Sequence, residues 1–141
     1  MLRYGYHLLS ALIISIVLLI TMAIMDVFAQ STHLTLLLIN IDFLADPSKV
    51  PLVVELLIHV LIGFIIYIVF LFIYHISKPL YNLSYVLLML IFIVLYPLLI
   101  MLARREIFQF SWLEYGLWMV AHIIFICLMA WAIPYFSKKK Y

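Results

Sequence analysis

The chain has 141 residues, 70% of them hydrophobic and only 10% charged, with a formal net charge of +2. Soluble domains carry about 45–50% apolar and about 25% charged residues, so this composition excludes a soluble globular class; the mean hydropathy of +1.33 points the same way. Its 8 Lys and Arg are too few for a nucleic-acid footprint, and the lone Cys127 excludes an intrachain disulfide or a multi-cysteine metal site.

Four apolar runs reach the roughly 20 residues that a spanning helix needs. Backbone N–H and C=O groups in lipid must be satisfied internally, so each run reads as a helix. The first covers 8–29 and is almost pure Leu, Ile, Val and Met. Arg3 ahead of it and Val27-Phe28-Ala29 at its end follow a signal-peptide pattern, but its length and Asp26 argue for an uncleaved anchor. The loop 30–50 contains an apolar stretch from Leu34 to Leu44 that is too short to span. It is expected to be an interfacial segment packed against the helix ends, with a lid or re-entrant segment as the sharper alternative.

The second run covers 51–74, opening after Ser48 with Pro51 at a position where proline suits a first turn. Lys78-Pro79 is expected to end it, with Asn82 and Ser84 restarting the chain as a third helix over 84–103. The fourth covers 113–136. The expected fold is an all-α integral membrane domain spanning 1–141, with four transmembrane helices.

Lys and Arg in the short segments set orientation. With the N-terminus inside, the inner side holds Arg3, Lys78, Lys138, Lys139 and Lys140, and the outer side holds Lys49, Arg104 and Arg105. Both termini are therefore expected to be cytoplasmic, and the Arg104-Arg105 pair is the awkward feature of that topology.

The chemistry-bearing residues lie inside the apolar runs. A charge at the centre of a spanning helix costs roughly 2.5–3.5 kcal/mol on insertion scales, so such residues tend to face the bundle interior and find partners. Glu55, His59 and Gly63 are spaced by fours on one stripe of the second helix, as are Glu114, Trp118 and His122 on the fourth. At 1.5 Å per residue, both stripes start at the outer end and descend roughly 12 Å into the outer half of the bundle. Asp26 sits at the same level on the first helix, forming the rim of one polar layer. Tyr96 and Pro97 fall at a comparable depth, and Pro97 frees a backbone carbonyl one turn earlier.

Glu and His suit proton handling, and His59, His122 and Glu55 are also candidate ligands for a divalent metal. The plain alternative is an intrahelical Glu55–His59 hydrogen bond worth about 1 kcal/mol as interhelical glue. Glu114 and Asp26 then reach water, and Trp112 and Trp118 anchor at the interface. His7, His33 and His75 lie near helix ends without a special role. Ala11 and Ser15 form one small-residue step, and no GxxxG motif is present.

Tyr96-Pro97-Leu98-Leu99, then Trp112-Leu113-Glu114, then His122 eight residues on, together resemble the YagU family (DUF1440) of small bacterial inner-membrane proteins. The resemblance covers about the last 85 residues and extends to the region from His59 to Pro79. It departs in the first helix and loop, where the family's hydrophilic extracytoplasmic insert is reduced to 30–50. It implies a bacterial inner-membrane protein connected with acid tolerance, and makes Glu114 and His122 a family feature.

The function expected from these residues is a proton- or cation-responsive membrane protein with a Glu55, His59, Glu114 and His122 site between the second and fourth helices. The alternative is a non-catalytic structural or accessory subunit of a membrane complex. No Ser–His–Asp or Cys–His arrangement and no phosphate-binding glycine loop is recognisable, so an enzyme ranks third. The partner that the sequence names is the lipid bilayer; a protein partner, a homo-oligomer and any cofactor are left open.

Overall fold

A computed structural model describes residues 2–46 and 48–138, the side chains of residues 2–4 excepted. Three of the five cations assigned to the inner side (the Arg3 side chain, Lys139 and Lys140) therefore lie outside the described residues. The elements are α1 (Leu2–Ala29), α2 (Leu34–Leu38), α3 (Leu52–Ile76), α4 (Lys78–Leu102) and α5 (Trp112–Lys138), with no strand among the described residues. Four of these helices are long and apolar enough to cross a membrane. The all-α, four-span architecture read from the runs is the one observed.

The helices form an up-and-down bundle in which α1 and α4 each pack against both α3 and α5, while α3 and α5 also touch across the middle. Burial follows the spacing of the stripes. On α3 the inward residues are Glu55, His59, Gly63, Tyr67, Phe70 and Tyr74, whereas Leu57, Leu61 and Phe72 point outward. Lipid tails are as apolar as leucine, so burying leucine brings no hydrophobic gain there. On α3, small, aromatic and polar side chains instead occupy the contacts where packing and hydrogen bonds act.

Gly63 shows the packing at its tightest. A Cβ at this position would lie 2.9 Å from Ser15 Cβ, so α1 and α3 approach as closely as they do only because position 63 has no side chain. Ser15 turns its own hydroxyl back to the Ala11 carbonyl at 2.8 Å, satisfying it without a partner on α3.

The turn between α3 and α4 departs from the expected boundary. Lys78-Pro79 opens α4 instead of ending α3, and the connection is the single extended residue Ser77. Pro79 sits in the first turn, where its missing N–H has no intrahelical partner to lose, and Ser77 Oγ accepts the Leu80 N–H at 3.4 Å. Phe70, Tyr74, Tyr81 and Tyr85 close this end of the α3–α4 hairpin, with ring centroids 4.7 Å apart for Phe70–Tyr85 and 5.0 Å for Tyr74–Tyr81. At the same end, His7 of α1 joins Tyr67 of α3 (Nδ1 to hydroxyl, 3.0 Å) and Ser137 of α5 (Nε2 to Oγ, 3.4 Å). His7 therefore ties three helices together, a role its place near a helix end did not suggest.

At the opposite end, the one expected from the lysine and arginine placement to be the outer one, α2 and the chain through residue 46 fold over the bundle. Leu34 and Leu37 are fully buried and Ile39 nearly so, so this segment packs into the helix ends and does not rest on them.

Candidate functional site

The outer segment is fastened by four carboxylates. Asp26, at the end of α1, accepts the Leu34 and Thr35 backbone N–H groups, both at 2.8 Å, and the Thr32 hydroxyl at 2.7 Å. These N–H groups are the unsatisfied donors of α2's first turn, so a side chain from another helix supplies the cap that His33 does not. Glu114 accepts the His33 N–H at 3.1 Å, stands 4.0 Å from the His33 ring, and receives the Tyr96 hydroxyl at 3.2 Å. Asp42, fully buried, accepts the Arg104 and Arg105 N–H groups at 3.2 Å and lies 3.2 Å from Arg105 Nε. Glu55 pairs with the same Arg105 guanidinium through the Nη2 group.

Arg105 thus bridges two buried carboxylates. Its planar fork can donate in two directions at once, which an ammonium on a flexible stem does less well. The Glu55–His59 hydrogen bond offered as the plain alternative does not form; an arginine from the α4–α5 loop takes the carboxylate. Glu114 is likewise buried instead of reaching water. The polar residues therefore fall into two tiers: carboxylates above, imidazoles below.

His59 and His122 line one cavity of about 360 Å³ in the outer half of the bundle, between α3, α4 and α5. The outer segment roofs it through Leu38, Asn40 and Phe43, and Ile58, Ile62, Ile91 and Leu95 form its apolar walls. Ile62 and Ile91 are about half exposed, so the cavity lies open towards lipid between α3 and α4.

His122 is held rigidly. Its ring lies between Phe92 and Trp118, with centroids at 4.1 and 4.3 Å. Its Nδ1 is 2.8 Å from the Trp118 carbonyl. A carbonyl only accepts, so Nδ1 carries the proton and Nε2 of the neutral ring is an acceptor. His59 is buried; its ring approaches the Leu38 backbone carbonyl, and its Nε2 makes no hydrogen bond of ordinary geometry among the described residues. Asn40 is also buried; its Oδ1 accepts the Asp42 N–H at 2.8 Å, while its Nδ2 is likewise unpartnered among the described residues.

Pro97 shapes the wall that faces α5. It lies inside α4 and cannot donate to the Ile93 carbonyl one turn earlier. The Tyr115 hydroxyl takes that carbonyl at 3.3 Å, and Trp118 Nε1 donates to the adjacent Phe92 carbonyl at 3.1 Å. Trp118 is completely buried and not at the interface as expected, whereas Trp112 is largely exposed.

Of the residues singled out in the sequence, His59 and His122 come together at the cavity, while Asp26, Glu55 and Glu114 serve the outer clasp. Among the described residues, no group of three or more His, Cys, Asp and Glu is arranged to hold a metal ion. Sequence reasoning missed Arg105, Asp42 and Asn40. A signal for Arg105 existed: several acids at apolar helix ends demand a cation, and Arg104-Arg105 was the pair that fitted the topology poorly. No family model, no curated protein and no solved structure matches the chain.

Proposed function

We propose that this chain is a non-catalytic, multi-pass membrane protein that holds a small, lipid-soluble molecule between its helices, with the molecule's polar end at His59 and His122. The observation that carries the reading is an otherwise apolar cavity of about 360 Å³ lined by two buried imidazoles, His59 and His122. A well-formed apolar cavity on which a few polar groups converge is the ordinary form of a small-molecule site. The resemblance to the YagU family and the lysine and arginine placement support a bacterial cytoplasmic membrane with both termini inside.

The test is co-purification. Protein extracted in native nanodiscs is expected to retain one class of lipid-soluble molecule in stoichiometric amount, and Ile62→Trp, which fills the cavity mouth, is expected to lose it. Identical contents in the two preparations would remove the reading.

A second reading, a proton response, is favoured by the outer clasp. Asp26, Asp42, Glu55 and Glu114 all fasten one segment, and their cationic or titratable neighbours there are Arg105, His33 and Tyr96. Each carboxylate is a charge-assisted acceptor there, so loss of its charge loosens the roof of the cavity. Cells expressing Glu114→Gln in place of the wild type should differ in acid survival at equal protein abundance; equal survival excludes this role.

A further inference from the structure

Resting on the binding role just proposed, the donor and acceptor pattern at the cavity narrows what the polar end of the ligand can be. We infer that the cavity takes the neutral hydroxyl head of a membrane-soluble alcohol, which reaches the imidazoles from the bilayer between α3 and α4.

His59, His122 and Asn40 line the cavity, and the last two offer definite roles. His122 Nε2 is an acceptor, because Nδ1 spends its proton on the Trp118 carbonyl. Asn40 Nδ2 is a donor, because Oδ1 is the atom that receives the Asp42 N–H. The His59 ring approaches the Leu38 carbonyl and adds no separate requirement on the ligand. A complementary head must both donate and accept, which a hydroxyl does and an ether, ketone or hydrocarbon does not.

Charge is excluded by the tier above. Asp42 and Glu55 face Arg105, Asp26 faces the first turn of α2, and Glu114 faces His33 and Tyr96. No cavity-lining residue carries a fixed charge, so a carboxylate or ammonium head would be buried without a counter-ion at a large desolvation cost. The half-exposed Ile62 and Ile91 flank the opening, which suits a ligand arriving from the hydrocarbon layer and leaving its tail there.

The experiment uses the full chain in phosphatidylcholine nanodiscs and four isotope-labelled probes of one chain length: decanol, decane, decanoate and decylammonium. Saturable decanol binding, about tenfold tighter than that of the other three, is expected from the hydrogen bonds at stake. His122→Leu and Asn40→Leu should each remove most of that preference, bringing decanol towards decane. Decane binding as tightly as decanol, or a charged probe binding tighter, overturns the hydroxyl inference but leaves the cavity a binding site. Failure of all four to bind overturns the binding role itself. A folded His122→Leu protein that keeps the full preference overturns the assignment of the acceptor. If either leucine variant fails to fold, the probe ranking in the wild type still decides.

Discussion

Arg105 and Glu55 form an ion pair across the outer end of the bundle, the guanidinium coming from the α4–α5 loop and the carboxylate from the first turn of α3. Asp42 of the outer segment shares the same guanidinium, so one arginine joins three parts of the chain that are far apart in sequence. Removing the cation leaves two buried carboxylates uncompensated, whereas neutralising Glu55 leaves an amide that needs no counter-charge. Arg105→Gln is therefore expected to cost about 3–5 kcal/mol, and Glu55→Gln about 1–2 kcal/mol. The double substitution should cost less than the sum of the two. Unfolding followed in detergent by temperature and size-exclusion monodispersity measures all three.

How far the sequence reaches is visible in this pair. Glu55, His59 and Gly63 were legible as one inward stripe because a helix in lipid has a fixed period and polar residues there must turn away from lipid. What Glu55 touches was not legible, since Arg105 lies in a loop whose path no periodicity constrains. The same holds for Asp26: its depth followed from its position on α1, but its role as the cap of α2 required the outer segment to fold inward. Lys78-Pro79 misled for a different reason. Proline after a long helix reads as a stop, yet it equally suits the first turn of the next helix, and one extended residue, Ser77, suffices to join the two.

Asp26 gives the second prediction. Asn in its place keeps one acceptor oxygen but loses the charge that favours the N-terminus of α2 and one of the two carboxylate oxygens that hold Leu34, Thr35 and Thr32. Asp26→Asn is expected to weaken the outer segment by about 1–2 kcal/mol. Hydrogen exchange should speed up at the Leu34 to Ile41 amides, while the middle of α4 and α5 stays protected. Uniform acceleration throughout the bundle would show that Asp26 does not act locally.

Pro97 and Tyr115 make a coupled pair. In the native chain the Tyr115 hydroxyl serves the Ile93 carbonyl that Pro97 leaves free. Tyr115→Phe should therefore cost about 0.6–1.7 kcal/mol, the range measured for hydrogen bonds within membrane helices. Pro97→Ala restores a backbone donor to that carbonyl, and in its background Tyr115→Phe should cost almost nothing. A double-mutant cycle on unfolding free energy reads the difference directly, and equal costs in both backgrounds rule out the compensation.

Asp46 lies outside the spanning helices, in the turn before α3, and its carboxyl accepts Ser48 Oγ at 2.7 Å and Ser48 N–H at 3.0 Å. The side-chain bond first and the backbone bond second hold its pKa below the ordinary carboxylate value. A depressed pKa means that the turn's contribution is present above the ordinary value and is lost as pH falls through the lower, folded-state one. Ser48→Ala removes the larger cause, so the Asp46 pKa should rise part of the way back. A carboxyl-carbon NMR titration of the two proteins measures this, and superimposable curves would show that Ser48 does not set it.

Gly63 and Ser15 test the close approach of α1 and α3. An alanine at position 63 brings its Cβ against Ser15 Oγ, 2.9 Å from Ser15 Cβ and 3.5 Å from Ser15 Cα, so the conflict involves the rigid start of the side chain as well as its hydroxyl. The helices must separate, which loosens packing along Ala11 and Ser15, both fully buried. Gly63→Ala is expected to destabilise by about 1–3 kcal/mol. Ser15→Gly removes the crowding Cβ and Oγ at the cost of the Ser15–Ala11 hydrogen bond and some helix propensity, about 0.5–1 kcal/mol. In the double variant the two small residues have merely changed sides of the interface, so the loss should be well below the sum of the single losses. Additive losses would mean that α1 and α3 do not meet at this point.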